Sequence, residues 1–356
     1  MNRLLSAIGL PLIGALVAVG SAAAQSNGAK TDGTETAAPG GDRMSITFQL
    51  ENDLFADTDR HYTNGVRASW ISEDQSTVPH WLKKGLGKIY KLSPLENGAI
   101  DTRYGFALGQ SMFTPEDITR SGLIADDRPY AGWLYLGLTL HAATDTKVGG
   151  SDFKILDTME LDLGIVGPQA YGEDAQTFVH KVIDSPRPQG WDNQLKNEPG
   201  IVLQLERKWR PQAATYGGLE VDAIPHWGIS LGNVLTATNT GATLRFGQNL
   251  KRDFGPPHIR PALSGPATFD VSDGFAWYFF AGVDGRLVGR NIFLDGNTFA
   301  DSHSVDKKTA VGDLQFGLAV LAGPFRFSYS QVRRTKEFDG QNQTDRFGAV
   351  SVTVKF

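Results

Sequence analysis

The chain has 356 residues, no cysteine, 41 glycines, 17 prolines and a hydrophobic fraction of 40%. That fraction, with a mean hydropathy of -0.24, excludes a protein of many membrane helices, each of which needs about 20 consecutive apolar residues. The formal net charge of -5 offers no global basic surface to nucleic acid, and the absent cysteines exclude disulfides, thiolate nucleophiles and cysteine-based metal sites.

The N-terminus carries a basic start, Asn2-Arg3, an apolar stretch from Leu4 to Val19, and then Ser21-Ala22-Ala23-Ala24 before Gln25. This charged, apolar, small-residue order predicts a secretory signal peptide over 1–24. An uncleaved membrane anchor is the alternative. The polar, Gly/Ala/Thr-rich stretch that follows reads as a disordered arm over 25–42, ahead of one domain over 43–356.

From residue 43 onward the sequence alternates with period two. Met44, Ile46, Phe48 and Leu50 oppose Ser45, Thr47, Gln49 and Glu51; Met159, Leu161, Leu163 and Ile165 oppose Glu160, Asp162 and Gly164. The same pattern recurs around Leu203, Leu219, Leu314 and Phe325, and ends with Val350, Val352, Val354 and Phe356. One apolar and one polar face per segment is the signature of strands. A soluble sandwich shows it too. Two features favour a membrane barrel instead: charged residues lie mid-strand on the polar face, and the segments run to about 10 residues, the length of a tilted membrane strand. Strands are predicted at 43–51, 60–71, 103–112, 131–142, 156–166, 200–210, 216–226, 236–247, 275–286, 309–321, 324–335 and 345–356. These twelve make an all-β, antiparallel transmembrane barrel with a terminal aromatic, Phe356, of the kind that directs outer-membrane assembly.

With a periplasmic N-terminal end, parity assigns 52–59, 113–130, 167–199, 227–235, 287–308 and 336–344 to the extracellular side. The inward connections 211–215 and 322–323 are short, as expected. Two others, 72–102 and 248–274, are not, and 80–90 in the first of them reads as an amphipathic helix at the membrane surface.

Chemistry concentrates in three outward places. Glu173 to Asp184 is predicted to be a short helix inside an extracellular loop, closed by Ser185-Pro186. Gln176 and His180 share one face of it, so the amide could hold one ring nitrogen and leave the other to take a proton. The bland alternative is a surface histidine. Glu51-Asn52-Asp53, followed by Asp57, Asp59 and His61-Tyr62-Thr63-Asn64-Gly65, gathers hard oxygen donors of the type that suits Ca²⁺ rather than zinc; the alternative is a solvated acidic turn. The 114–130 segment supplies Arg120 and Arg128, natural clamps for phosphate if they are not merely solvated. A fourth pattern, Gly228-Ile229-Ser230-Leu231-Gly232, fits G-x-S-x-G but lacks the strand–elbow–helix context that a serine nucleophile needs. A base, a cation and phosphate-binding arginines converging at one mouth suggest hydrolysis of an anionic lipid.

The segments ENDLF (51–55), YTNG (62–65), GQSMFTP (109–115), DRPYAGW (127–133), GIVGPQAYGEDAQTFVHKVI (164–183) and GWDNQL (190–195) together resemble the lipid A 3′-O-deacylase family of Gram-negative outer membranes. The resemblance covers the first half of the mature chain; beyond about residue 210 it is mainly barrel pattern. It implies a twelve-stranded barrel that removes the 3′-linked acyloxyacyl chain of lipid A in the outer leaflet and requires Ca²⁺. It further implies His180 as the catalytic base with Gln176 beside it, Thr63 as the site threonine, Asn52 and Asp53 near the ion, and Arg120 at the lipid head. Pro186 and Pro188 depart from the charged or aromatic residues that can follow the family's helix. An outer-membrane phospholipase and a non-catalytic pore or adhesin are the alternatives, and the oligomeric state stays open.

Overall fold

The computed structural model describes residues 43–53, 61–73, 79–82, 84, 101–148, 150–255 and 274–356. The predicted signal peptide and arm lie outside them. The strands are β1 (Ser45–Asn52), β2 (His61–Ile71), β3 (Asp101–Thr114), β4 (Ala131–Val148), β5 (Ser151–Val166), β6 (Glu198–Pro211), β7 (Ala214–Tyr216), β8 (Leu219–Gly232), β9 (Leu235–Gln248), β10 (Phe275–Asn291), β11 (Ala310–Ala322), β12 (Phe325–Arg334) and β13 (Asp345–Lys355). Helix α1 (Gly172–Ile183) lies between β5 and β6, and a single turn, α2 (Ile292–Asp295), follows β10.

Each long strand pairs antiparallel with its neighbours, β1 pairs with β13, and β6 pairs with β8, so twelve strands close into a barrel. The extra strand, β7, pairs with β8 alone and forms a lip on the periplasmic hairpin. Two connections are shorter than expected. β4 continues to Val148 and β5 begins at Ser151, and β8 continues through Gly228–Gly232. Ser230 therefore sits mid-ladder opposite Gln204 and Ala237, with no elbow to lift its hydroxyl.

The alternation resolves into a polar interior and an apolar exterior. Leu108, Leu136, Leu163, Phe279, Val283 and Phe316 are exposed on the outside, whereas Arg67, Glu160, Arg245 and Arg326 are buried inside. A soluble sandwich would reverse this, so the pattern belongs to a barrel in lipid. Near the periplasmic end the exterior carries aromatic pairs such as Trp70–Tyr104 (5.7 Å) and Trp277–Phe279 (5.7 Å), an interfacial girdle. Within the predicted surface helix, 80–82 and 84 are helical and Leu82 packs with Leu140 and Met159; the rest of 80–90 lies outside the described residues.

The lumen is filled. Arg67 donates to both Glu160 oxygens (2.7 and 3.0 Å), and Asp313 accepts from Arg286 and Arg334. After a tight turn at Leu250–Arg252, Asp253 folds into the periplasmic mouth and meets Arg245, Tyr278 and Arg326. At the outer mouth, Phe293 of α2 stacks on Phe113 with ring centroids 3.9 Å apart. These plugs at both ends argue against the pore alternative.

Candidate active site

Residues 167–197 leave β5 and fold against the outside of the barrel wall. Gly167 (φ 105°) and Tyr171 (φ 56°, left-handed) turn the chain, and Glu173 and Asp174 complement the N-terminal end of the α1 dipole. Gly132 of β4 and Gln110 of β3 share the outward parity of Leu136 and Leu108. Gln110 Nε2 donates to the Ala170 carbonyl at 2.6 Å. A Cβ added at Gly132 would lie 3.0 Å from Ala170 Cβ and 3.3 Å from the Gly172 nitrogen, so the glycine allows the close approach. α1 touches β3 and β4. The predicted helix thus sits beside the wall, on its lipid-facing side, rather than over the mouth.

The wall-facing residues of α1 are Gly172, Gln176 and His180, spaced by one turn each and all buried. His180 Nδ1 lies 2.6 Å from the Pro186 carbonyl oxygen. A carbonyl oxygen only accepts, so Nδ1 carries the proton and the lone pair of the neutral ring is on Nε2. The sequence suggested that Gln176 holds the ring, and the structure differs. Gln176 Oε1 accepts from Trp191 Nε1 at 2.8 Å, while its buried Nε2 has no hydrogen-bond partner among the described residues. Trp191 also stacks obliquely on Tyr130 (5.0 Å) and closes over Gly172, where a Cβ would lie 2.6 Å from the indole. Neither Trp191 nor the Pro186 carbonyl had a chemical signature in the sequence.

The end of β1 belongs to the same rim. Asn52 pairs with Asn64, Asn64 with Met112, and Met112 with Gly132, one continuous row across four strands. Three inter-strand spacings separate Asn52 from Gly132, about 14 Å along the sheet. Asn52, Asn64 and Met112 have outward parity yet are only 6%, 5% and 3% exposed. Asn64, one of the hard oxygen donors that the sequence groups with Asn52 and Asp53, has a buried Oδ1 with no hydrogen-bond partner among the described residues. Asp53 follows β1 and is buried. Thr63 falls at the register irregularity between Tyr62 and Asn64, and its side chain lies outside the described residues.

The donor chemistry here fits Ca²⁺: a carboxylate and amide oxygens, all hard, with no thiol in the chain. Among the described residues no three His, Asp or Glu side chains gather into a metal cage. A cation at Asn52 and Asp53 would therefore complete its shell from amide, backbone, substrate or water oxygens.

The two arginines part company. Arg120 is exposed on 115–130, and that segment is stitched to the one after α1 by Gln189 N–H to the Ile118 carbonyl (2.8 Å) and Leu195 N–H to the Tyr130 carbonyl (2.9 Å). This keeps Arg120 at the rim beside the helix loop. Arg128 instead turns into the outer mouth, 1% exposed, 3.4 Å from Glu337 and over the Phe113 ring. Burial against Glu337 removes it from any surface a lipid headgroup reaches, which corrects its assignment as a substrate clamp. Glu337 lies outside the strands; burial pushes its carboxyl up, but Arg334 and Arg128 outweigh that and hold it below its usual range.

Comparison with solved structures finds LpxR from Salmonella typhimurium, 20% identical, with a TM-score of 0.68 over 88% of this chain and 100% of that one. The translocator domain of autotransporter NalP from Neisseria meningitidis is 13% identical with a TM-score of 0.40, covering 100% of both chains. The beta domain of the Bordetella autotransporter BrkA is 9% identical with a TM-score of 0.41, over 89% of this chain and 100% of that one. Comparison with curated protein sequences gives no match. The family described as "Outer membrane protein LpxR" matches residues 10–356, nearly the whole length, and the chain belongs to that family of integral outer-membrane barrels.

Proposed function

We propose that the protein is an outer-membrane lipid A deacylase that hydrolyses the 3′-linked acyloxyacyl ester. The observation that carries this reading is the buried His180 ring, held through Nδ1 by a backbone carbonyl between α1 and the lipid-facing side of the wall. His180 Nε2 takes a proton from water as that water attacks the ester carbonyl. The same nitrogen then returns the proton to the departing sugar oxygen, so no covalent enzyme intermediate is needed. Asn52 and Asp53 would hold Ca²⁺, with Thr63 nearby, and Asn64 adds a buried amide oxygen to the same rim. Bound there, Ca²⁺ would supply positive charge for the oxyanion that develops at the carbonyl. Gln176, tethered by Trp191, presents its amide N–H groups to the substrate, and Arg120 meets a headgroup phosphate.

The test is mass spectrometry of lipid A and phospholipids from cells with and without the gene. Loss of one acyloxyacyl unit is the expected result. Unchanged lipid A with accumulated lysophospholipid would make the protein a phospholipase, and no lipid change at all would remove the enzymatic reading.

A further inference from the structure

Helix α1 is amphipathic in an inverted sense. Its wall-facing residues, Gln176 and His180, are polar, while Phe178 and Val182 face away from the wall, 68% and 45% exposed, and Tyr171 just before the helix is 60% exposed. Phe178 and Val182, four residues apart, lie within about 40° of one another at 100° per residue, and Tyr171 is the left-handed residue just before the helix. Asp174 and Lys181, seven apart, make a charged stripe about 70° further round, and both are exposed. A helix packed on a soluble protein turns its apolar stripe inward. Here the inward side is taken by the site, and the apolar stripe has no protein against it among the described residues.

The surroundings say what covers it. α1 begins six residues after Val166, the last residue of β5. Directly below it on the outer wall are Leu134 and Leu136 of β4, paired with Ile165 and Leu163 of β5. Leu136 and Leu163 are 65% and 49% exposed and belong to the band that meets lipid. The stripe on α1 is continuous with that band.

We propose that α1 is a membrane-inserted element: its Phe178–Val182 stripe lies among the acyl chains of the outer leaflet, with Asp174 and Lys181 turned to the headgroups. Burying such a face is the ordinary basis of interfacial helix anchoring. Lipid then presses the helix onto the wall, and the space between them borders the leaflet. The inference holds whichever bond the site cleaves.

The chain has no cysteine, so one substitution creates one labelling site. Phe178→Cys, Val182→Cys, Asp174→Cys and the wall control Leu136→Cys are each spin-labelled in the full barrel. Heat-modifiability is checked first, and each variant is reconstituted into dioleoylphosphatidylcholine vesicles. Collision with oxygen, which partitions into lipid, is compared with collision with a water-soluble nickel chelate. The expected result is oxygen preference at 178 and 182, matching 136, with the preference reversed at 174. Nickel access at 178 and 182 equal to that at 174 would overturn the proposal. So would dipolar broadening at 178 that vanishes on dilution with unlabelled protein, because the face would then be a contact between two copies. Val182 guards against a local fault at Phe178. Since no readout depends on turnover, a failed deacylase reading and a failed membrane contact are told apart.

Discussion

His180 and Pro186 are joined by a 2.6 Å contact from the ring Nδ1 to the proline carbonyl, across the end of α1. The left-handed Asp184 (φ 61°) makes this possible by folding the chain back, with Ser185 N–H bonded to the His180 carbonyl at 2.9 Å. The orienting group of the candidate base is therefore backbone. His180→Asn is expected to lose about 10²–10⁴ in rate with the barrel still heat-modifiable. Pro186→Ala keeps the carbonyl and is expected to lose less than about tenfold. Deacylation assays on both variants check this, and near-normal activity in folded His180→Asn rules out the base.

The pairing of Trp191 Nε1 with Gln176 Oε1 gives a second prediction. Trp191→Phe retains most of the ring packing on Tyr130 and Gly172 but leaves a buried acceptor without its donor, a penalty of about 1–3 kcal/mol. The barrel does not depend on that bond, so limited proteolysis is expected to cut the 167–197 segment faster while the heat-modifiable band is unchanged. Proteolysis at the wild-type rate would show that the bond does not hold the loop.

Close approach at Gly172 yields a third. A side chain there meets the Trp191 indole at 2.6 Å and the Gly132 Cα at 3.3 Å, so Gly172→Val has to displace the Trp191 ring from Gln176 or shift the helix against the wall. Expected is a loss of activity comparable to that of His180→Asn, again with an intact barrel. Retained activity would mean that the spacing between helix and wall is not critical.

The barrel was legible because period two is enforced in every strand by two different solvents, lipid outside and a charged lumen inside. Residues such as Leu136 and Glu160 announce their faces without any knowledge of partners. The helix and its His180 were legible for a similar reason, a local pattern ending at a proline. What escaped was everything set by long-range contact. Whether Arg128 reaches a headgroup or Glu337 depends on a loop more than 200 residues away in sequence. The partner of Gln176 was hidden because an indole N–H gives no pattern of its own. Convergence at the mouth also failed as an inference: parity tells which side of the membrane a loop is on, not which side of the wall it leans against.

For the metal, chelation is expected to abolish deacylation and added Ca²⁺ to restore it. Asp53→Ala should show weakened Ca²⁺ binding by calorimetry while remaining heat-modifiable. If Asp53 is only structural, the variant instead folds poorly and calcium makes no difference to the wild type. Full activity of the calcium-stripped enzyme in excess chelator would exclude the ion and leave His180 in place.

Asp253 makes the periplasmic plug sensitive to acid. It lies on the connection outside the strands, where burial pushes its carboxyl up but Arg326, Arg245 and the Tyr278 hydroxyl pull it further down, to a net position below the ordinary 3.8. The native state therefore binds this proton more weakly than the unfolded chain does. The carboxylate's contribution is fully present above about 3.8 and disappears as pH falls from there through the native value. Asp253→Asn keeps the shape but removes the charge facing Arg326 and Arg245, and breaking a buried pair in this way costs about 3–5 kcal/mol. Urea unfolding of the detergent-solubilised barrel at neutral pH is thus expected to show a lower midpoint for the variant. On acidification the wild type loses its advantage and the two midpoints converge. Equal midpoints at neutral pH, or a gap that persists unchanged into acid, would show that the plug is held by something other than this carboxylate.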